Sequence, residues 1–140
     1  MSRKQAKHLT KKSADKNHRF NQYVSNKCLD LSLQGLTDVD MPELVQFLLQ
    51  YPSITVLDLS LNNIGDEGIS YFVDRNQNVK EVNFKGNNIS DNGVAVFAYK
   101  NQVIEQVNFS HNLISDPGIV KFAKINEICS YTQFSNKQIH

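Results

Sequence analysis

The sequence predicts an α/β solenoid: a curved parallel sheet with one strand per repeat and short helices on the convex side. Three observations carry this. The stretch Leu57-Asp58-Leu59-Ser60-Leu61-Asn62-Asn63-Ile64-Gly65-Asp66-Glu67-Gly68-Ile69 returns 25 residues later from Val82 to Val94, and again from Val107 to Ile119, with no slip of register. Within each copy the pairs Leu57/Leu59, Val82/Phe84 and Val107/Phe109 have the period of two that turns both side chains to one face of a strand. Each copy then runs through Asp-x-Gly into apolar residues at i, i+3 and i+4, as in Ile69, Phe72 and Val73, the spacing of an amphipathic helix. Units repeating at such a period bury their apolar faces only against their neighbours, so the chain is a stacked array.

Taken in order, residues 1–27 form a basic N-terminal arm and cap, and residues 28–140 form the repeat domain, about four repeats plus a terminal strand. The arm carries eight cations (Arg3, Lys4, Lys7, Lys11, Lys12, Lys16, Arg19 and Lys27) against Asp15, a net of +7. The remaining 113 residues carry 7 basic and 13 acidic side chains, so the overall charge of +1 conceals an opposed pair of regions. Phe20, Tyr23 and Val24 are placed to cover the core under Leu29 and Leu31. The first repeat starts 28 residues before the second, at Leu29, and its three extra residues with Pro42 predict a longer helix than those that follow. The last repeat is cut to Thr132–Ile139, which leaves Phe134 and Ile139 without a covering helix and its sheet edge open to a second copy.

Each repeat position has a physical task. Asn62, Asn87 and Asn112 follow the strands where the chain turns inward, and a column of side-chain amides there satisfies turn groups that would otherwise be buried unpaired. Asp66, Asp91 and Asp116 precede the helices and read as N-caps. Side chains between the core positions of each strand point to the open face. The residues expected to carry recognition there are Val56, Asp58, Leu61, Glu81, Asn83, Lys85, Asn108 and His111, with Leu33, Val56 and Leu61 forming an apolar patch edged by Asp and Ser.

The pattern L-x-L-x-x-N-x-I-x-D-x-G, carried by Leu57 to Gly68 and its two successors, resembles the leucine-rich repeats of the ribonuclease-inhibitor-like subtype, and the likeness extends over residues 29–139. Gln34 and Lys137 depart from it, standing where the first and last Asn of the column belong. The resemblance implies a non-enzymatic module that binds a protein partner on the concave sheet face. Short free-standing proteins with this repeat also resemble effectors that intracellular bacterial pathogens inject into host cells. That likeness implies a cytoplasmic protein, or one delivered into a host cell without a classical signal peptide.

Composition excludes much of the rest. No apolar run approaches the roughly 18 residues of a membrane span, and the N-terminus lacks the apolar segment of a secretory signal. Cys28 and Cys129 lie about four repeats apart, roughly 20 Å at the spacing of adjacent strands, so they are read as free thiols, with Lys27 beside Cys28 as a mild activator. There is no Gly-rich phosphate loop, no C-x-x-C and no H-E-x-x-H, and His111 stands next to Ser110 on a strand, facing away from it. His8, His18 and His140 read as surface residues, and Glu81 and Lys85 as a surface pair. No cofactor, no metal and no catalytic residue is expected. Two alternatives to the protein-binding face are kept: an adaptor reaching nucleic acid or an anionic membrane through the basic arm, and self-assembly through the C-terminal edge.

Overall fold

The computed structural model describes residues 17–134. Strands β1 (Val24–Ser25), β2 (Cys28–Asp30), β3 (Val56–Asp58), β4 (Glu81–Asn83), β5 (Gln106–Asn108) and β6 (Tyr131–Gln133) form one sheet in chain order. Between them run α1 (Met41–Gln50), α2 (Asp66–Arg75), α3 (Asp91–Lys100) and α4 (Asp116–Ile125). All pairings from β2 to β6 are parallel, with Leu29, Leu57, Val82, Val107 and Thr132 in one register. The solenoid expected from the period of 25 is the observed architecture.

The core lies between sheet and helices. Leu57, Leu59, Ile64 and Ile69 are fully buried, as are Phe84, Ile89 and Val94 in the repeat below. Phe84, Phe109 and Phe134 form a column with ring centroids 6.0 and 5.8 Å apart, and Phe97 meets Phe109 edge-on at 5.1 Å. A buried Phe side chain contributes about 1.5–3 kcal/mol by area, so this column is a large share of what holds the lower repeats together.

The N-terminal end is closed by a lid of its own. Asn26, in left-handed conformation, turns β1 back antiparallel to β2 in a two-residue hairpin. Phe20 is buried edge-on against Phe47, and His18 lies 4.8 Å from the Phe47 ring. Arg19 donates to both oxygens of Glu43, at 3.1 and 2.6 Å, and to Asp40 at 2.9 Å. His18 is therefore part of the lid, with Nε2 3.1 Å from Glu43, and not a free surface residue. His8 and His140 lie outside the described residues.

The first helix differs from expectation. The three extra residues do not lengthen α1, which has 10 residues like α2, α3 and α4; they form a separate 3-10 turn, Asp38–Asp40. That turn is a capping box in which the backbone N–H of Thr37 donates to Asp40 Oδ2 at 2.8 Å.

Candidate functional site

The concave sheet face holds a groove of about 260 Å³ lined by side chains from β2 through β6. Because alternate strand residues share a face, two columns project from this face of the sheet. One is Cys28, Val56, Glu81, Gln106 and Tyr131; the other is Asp30, Asp58, Asn83, Asn108 and Gln133. Five of the eight residues expected to carry recognition line the groove: Val56, Asp58, Glu81, Asn83 and Asn108.

The other three do not. Leu61 and His111 take left-handed backbone, φ 59° and 57°, and with Leu33 and Gly86 they turn onto the rim where each strand ends. Leu61 leans over Gly86, whose own φ of 73° and missing side chain make room for it. Lys85 is exposed on the same rim, and among the described residues it has no ion pair with Glu81; the pair formed is Lys80 with Glu105, at 3.8 Å. Leu33 and Leu61 remain exposed apolar residues, 71% and 49%, but Ser60 and Ser110 are buried instead of edging a surface patch.

The two columns differ in how free their side chains are. Asp58 Oδ1 accepts the backbone N–H of Ser60 at 2.9 Å, and Asn83 Oδ1 accepts that of Lys85 at 2.9 Å. Asn108 accepts both the N–H and the hydroxyl of Ser110, and Asp30 does the same for Ser32. These local bonds fix the chain as it leaves each strand. By contrast, Glu81, Gln106 and Tyr131 make no side-chain hydrogen bond or ion pair with any described residue and point into the groove unspent. Cys28, Gln106, Tyr131 and Gln133 also project into the groove but are outside the expected set, although the period of 25 places the last three under Glu81 and Asn108.

Asn62, Asn87 and Asn112 behave as expected, and the structure shows that each serves two repeats. Asn87 Nδ2 donates to Phe84 O in its own repeat at 3.0 Å and to Leu59 O in the preceding one at 2.9 Å, while its Oδ1 accepts Ile64 N–H at 2.9 Å. Asn62 binds back to Leu31 O and Leu36 N–H in the same way, and Asn112 to Phe84 O and Ile89 N–H. Gln34, in the first repeat, has nothing behind it to bridge. It bonds instead to Ser32 O and to the Tyr23 hydroxyl of the lid.

The Asp-x-Gly motif is a second inter-repeat device, and here the expectation of N-capping is corrected. Asp66 is the first residue of α2, and its carboxylate reaches forward to the next repeat, accepting Ser90 N–H at 2.8 Å and Ser90 Oγ–H at 2.5 Å. Asp91 binds Ser115 likewise at 2.7 and 2.5 Å, and Asp38 accepts Gly65 N–H at 2.6 Å. A Cβ on Gly68, Gly93 or Gly118 would collide with the carboxylate delivered from the repeat before. Each Asp thus caps its neighbour's helix, and each Gly is small because that carboxylate lies over it. A third column, Asn76, Asn101 and Asn126, ties each helix end to the following strand by bonding both backbone groups of Val79, Ile104 and Cys129 or the residues beside them.

The two thiols are unactivated. Burial, then the charges of Asp30, Asp58 and Glu81, pushes the Cys28 thiol up, the opposite of the effect expected from Lys27. Burial raises Cys129 to about 11 against a smaller opposing bond to Thr132. Among the described residues no three of His, Cys, Asp and Glu gather as a metal site, and no helix is long and apolar enough to cross a membrane.

A leucine-rich repeat family model matches residues 52–73, 75–98 and 100–123, together half of the chain, and the protein belongs to the leucine-rich repeat family. Among solved structures, the chain is similar to leiomodin-1 actin-binding site 2, with a TM-score of 0.59 over 96% of this chain and 80% of that one. At 12% identity that likeness is one of fold. No curated protein matches the sequence.

Proposed function

We propose that this protein is a non-enzymatic protein-interaction module whose concave groove receives a protein partner. The observation that supports it most is the column Val56, Glu81, Gln106 and Tyr131: rigid strand positions, side by side, whose side chains no ladder consumes. A preorganised surface of this kind binds with little ordering cost, and Tyr131, 56% exposed, supplies the aromatic area that contact sites favour. The solved structure it resembles is titled an actin-binding site, so actin is the first partner to try. Action inside a host cell as a bacterial effector is the finer form of the same reading and draws on the likeness of short free-standing repeat proteins.

The adaptor alternative draws on the charge of residues 1–27 alone. Six of its eight cations lie outside the described residues, and Arg19 is committed to Asp40 and Glu43.

The test is affinity capture from eukaryotic lysate, with purified actin alongside, comparing the intact chain with a Glu81→Lys, Gln106→Lys, Tyr131→Ala variant. Asp58, Asn83 and Asn108 are left untouched because they hold the strand ends. A protein retained by the first and lost by the second is the expected result. A captured set indifferent to the three changes would remove the groove as the site.

A further inference from the structure

The helix faces that meet between repeats can be read from one contact. Lys100 Nζ on α3 donates to Ser70 Oγ on α2 at 3.3 Å and lies 3.9 Å from Asp74 Oδ1, while Asp66 binds Ser90. Asp66, Ser70 and Asp74, at i, i+4 and i+8, are therefore the stripe of α2 that looks toward the next repeat. Two periods on, the same stripe of α4 is Asp116, Val120 and Lys124. Among the described residues nothing lies on it: Val120 is 53% exposed, and neither Asp116 nor Lys124 has an ion pair. Pro117 and Lys121 complete an open hollow there.

We propose that this end of the solenoid pairs with the same end of a second copy, α4 running antiparallel to its mate about Val120. The stripe is self-complementary. Under a two-fold axis at Val120, Asp116 faces the partner's Lys124 and Lys124 faces the partner's Asp116, with the two valines in contact between them. A closed homodimer requires this kind of isologous match. Head-to-tail stacking is not available instead. The N-terminal end is sealed by Phe20, and the helix-start N–H of Thr37 is already taken by Asp40. This pairing is independent of what the concave groove binds.

The test is sedimentation equilibrium of the intact chain at low ionic strength, with circular dichroism confirming that each variant folds. A monomer–dimer equilibrium is expected, weakened by salt as exposed ion pairs are. Asp116→Lys and Lys124→Asp, each placing like charges together twice per dimer, should each weaken it by about tenfold. The double reversal should restore it to within about threefold, since both pairs re-form with signs exchanged. Val120→Glu, which puts two carboxylates on the axis, should abolish it. A chain that stays monomeric up to roughly millimolar concentration would overturn the proposal. A dimer indifferent to both single reversals, or a folded double variant that stays as weak as the singles, would do the same.

Discussion

The two ends of this solenoid solve the problem of a terminal repeat in opposite ways. At the N-terminal end every role that a preceding repeat would fill is taken by a local substitute. Asp40 supplies the acceptor for Thr37 N–H that Asp38, Asp66 and Asp91 supply to the repeats after them, and Phe20 covers the core where a neighbouring strand and helix would. At the C-terminal end no such substitute is seen among the described residues. Asp116 makes no bond to a following helix, Ile119 is only half-buried where Ile69 and Val94 are fully buried, and the strand column ends in Thr132. Each repeat is completed by groups from both of its neighbours, so among the described residues the C-terminal end keeps unspent hydrogen-bonding and apolar capacity.

The largest way to break this contrast is to remove the lid. Phe20→Ala should cost about 3–5 kcal/mol, the range for emptying a buried aromatic site, whereas Phe134→Ala, half-exposed at the open end, should cost about 1–2 kcal/mol. Urea unfolding of the two variants gives the comparison directly.

Next in size is the asparagine ladder. Asn87→Ala strands Ile64 N–H and the carbonyls of Leu59 and Phe84 in the interior, and at about 1–3 kcal/mol for each unpaired group the loss should reach about 3 kcal/mol or more. Gln34→Ala, at the first position of the same column, should change stability by less than about 0.5 kcal/mol, because Gln34 is exposed and its two bonds, to Ser32 O and the Tyr23 hydroxyl, lie at the surface.

A smaller effect is confined to the lid and appears in acid. Burial pushes Asp40 up, but the Thr37 N–H and the Arg19 guanidinium outweigh it and hold its carboxyl below the ordinary value of 3.8. A carboxyl depressed on folding stabilises the protein above its unfolded value and loses that contribution as pH falls through the folded one. Thermal midpoints should therefore fall below roughly pH 4, and less steeply in Asp40→Asn, which has no charge left to lose.

The thiols give the mildest probe. Alkylation near pH 8 should modify Cys28, half-exposed in the groove, well before Cys129, which is buried and raised to about 11. Both should react more slowly than a free cysteine, because the thiolate is the reactive form.

Most of the fold was legible because the period of 25 is a long-range constraint written locally. Once Leu57, Val82 and Val107 are aligned, strand register, core faces and the asparagine column follow. What the period does not state is direction. Asp66 reads as a cap for its own helix by propensity, and only the packed structure shows its carboxylate turned onto Ser90 across Gly93. Leu61 and His111 are read as open-face residues although strict alternation would group them with Leu59 and Phe109; the strands end at Asp58 and Asn108, and the left-handed turn that follows sends them to the rim. Asn76, Asn101 and Asn126 were visible in the repeat and passed over, because an Asn after a helix reads as an ordinary boundary. The spread of α1 into a 3-10 turn and a helix was hidden, since the capping box of Thr37 and Asp40 competes with Pro42 as the helix start.

The most direct test of the closed and open ends is amide hydrogen exchange on the intact chain, read repeat by repeat at a concentration where it is monomeric. The amides of β2, β3 and α1, under the lid, should exchange most slowly, and protection should decline through α3 to α4 and β6. Protection in α4 and β6 equal to that of α1, or lowest at the N-terminal end, would contradict the account.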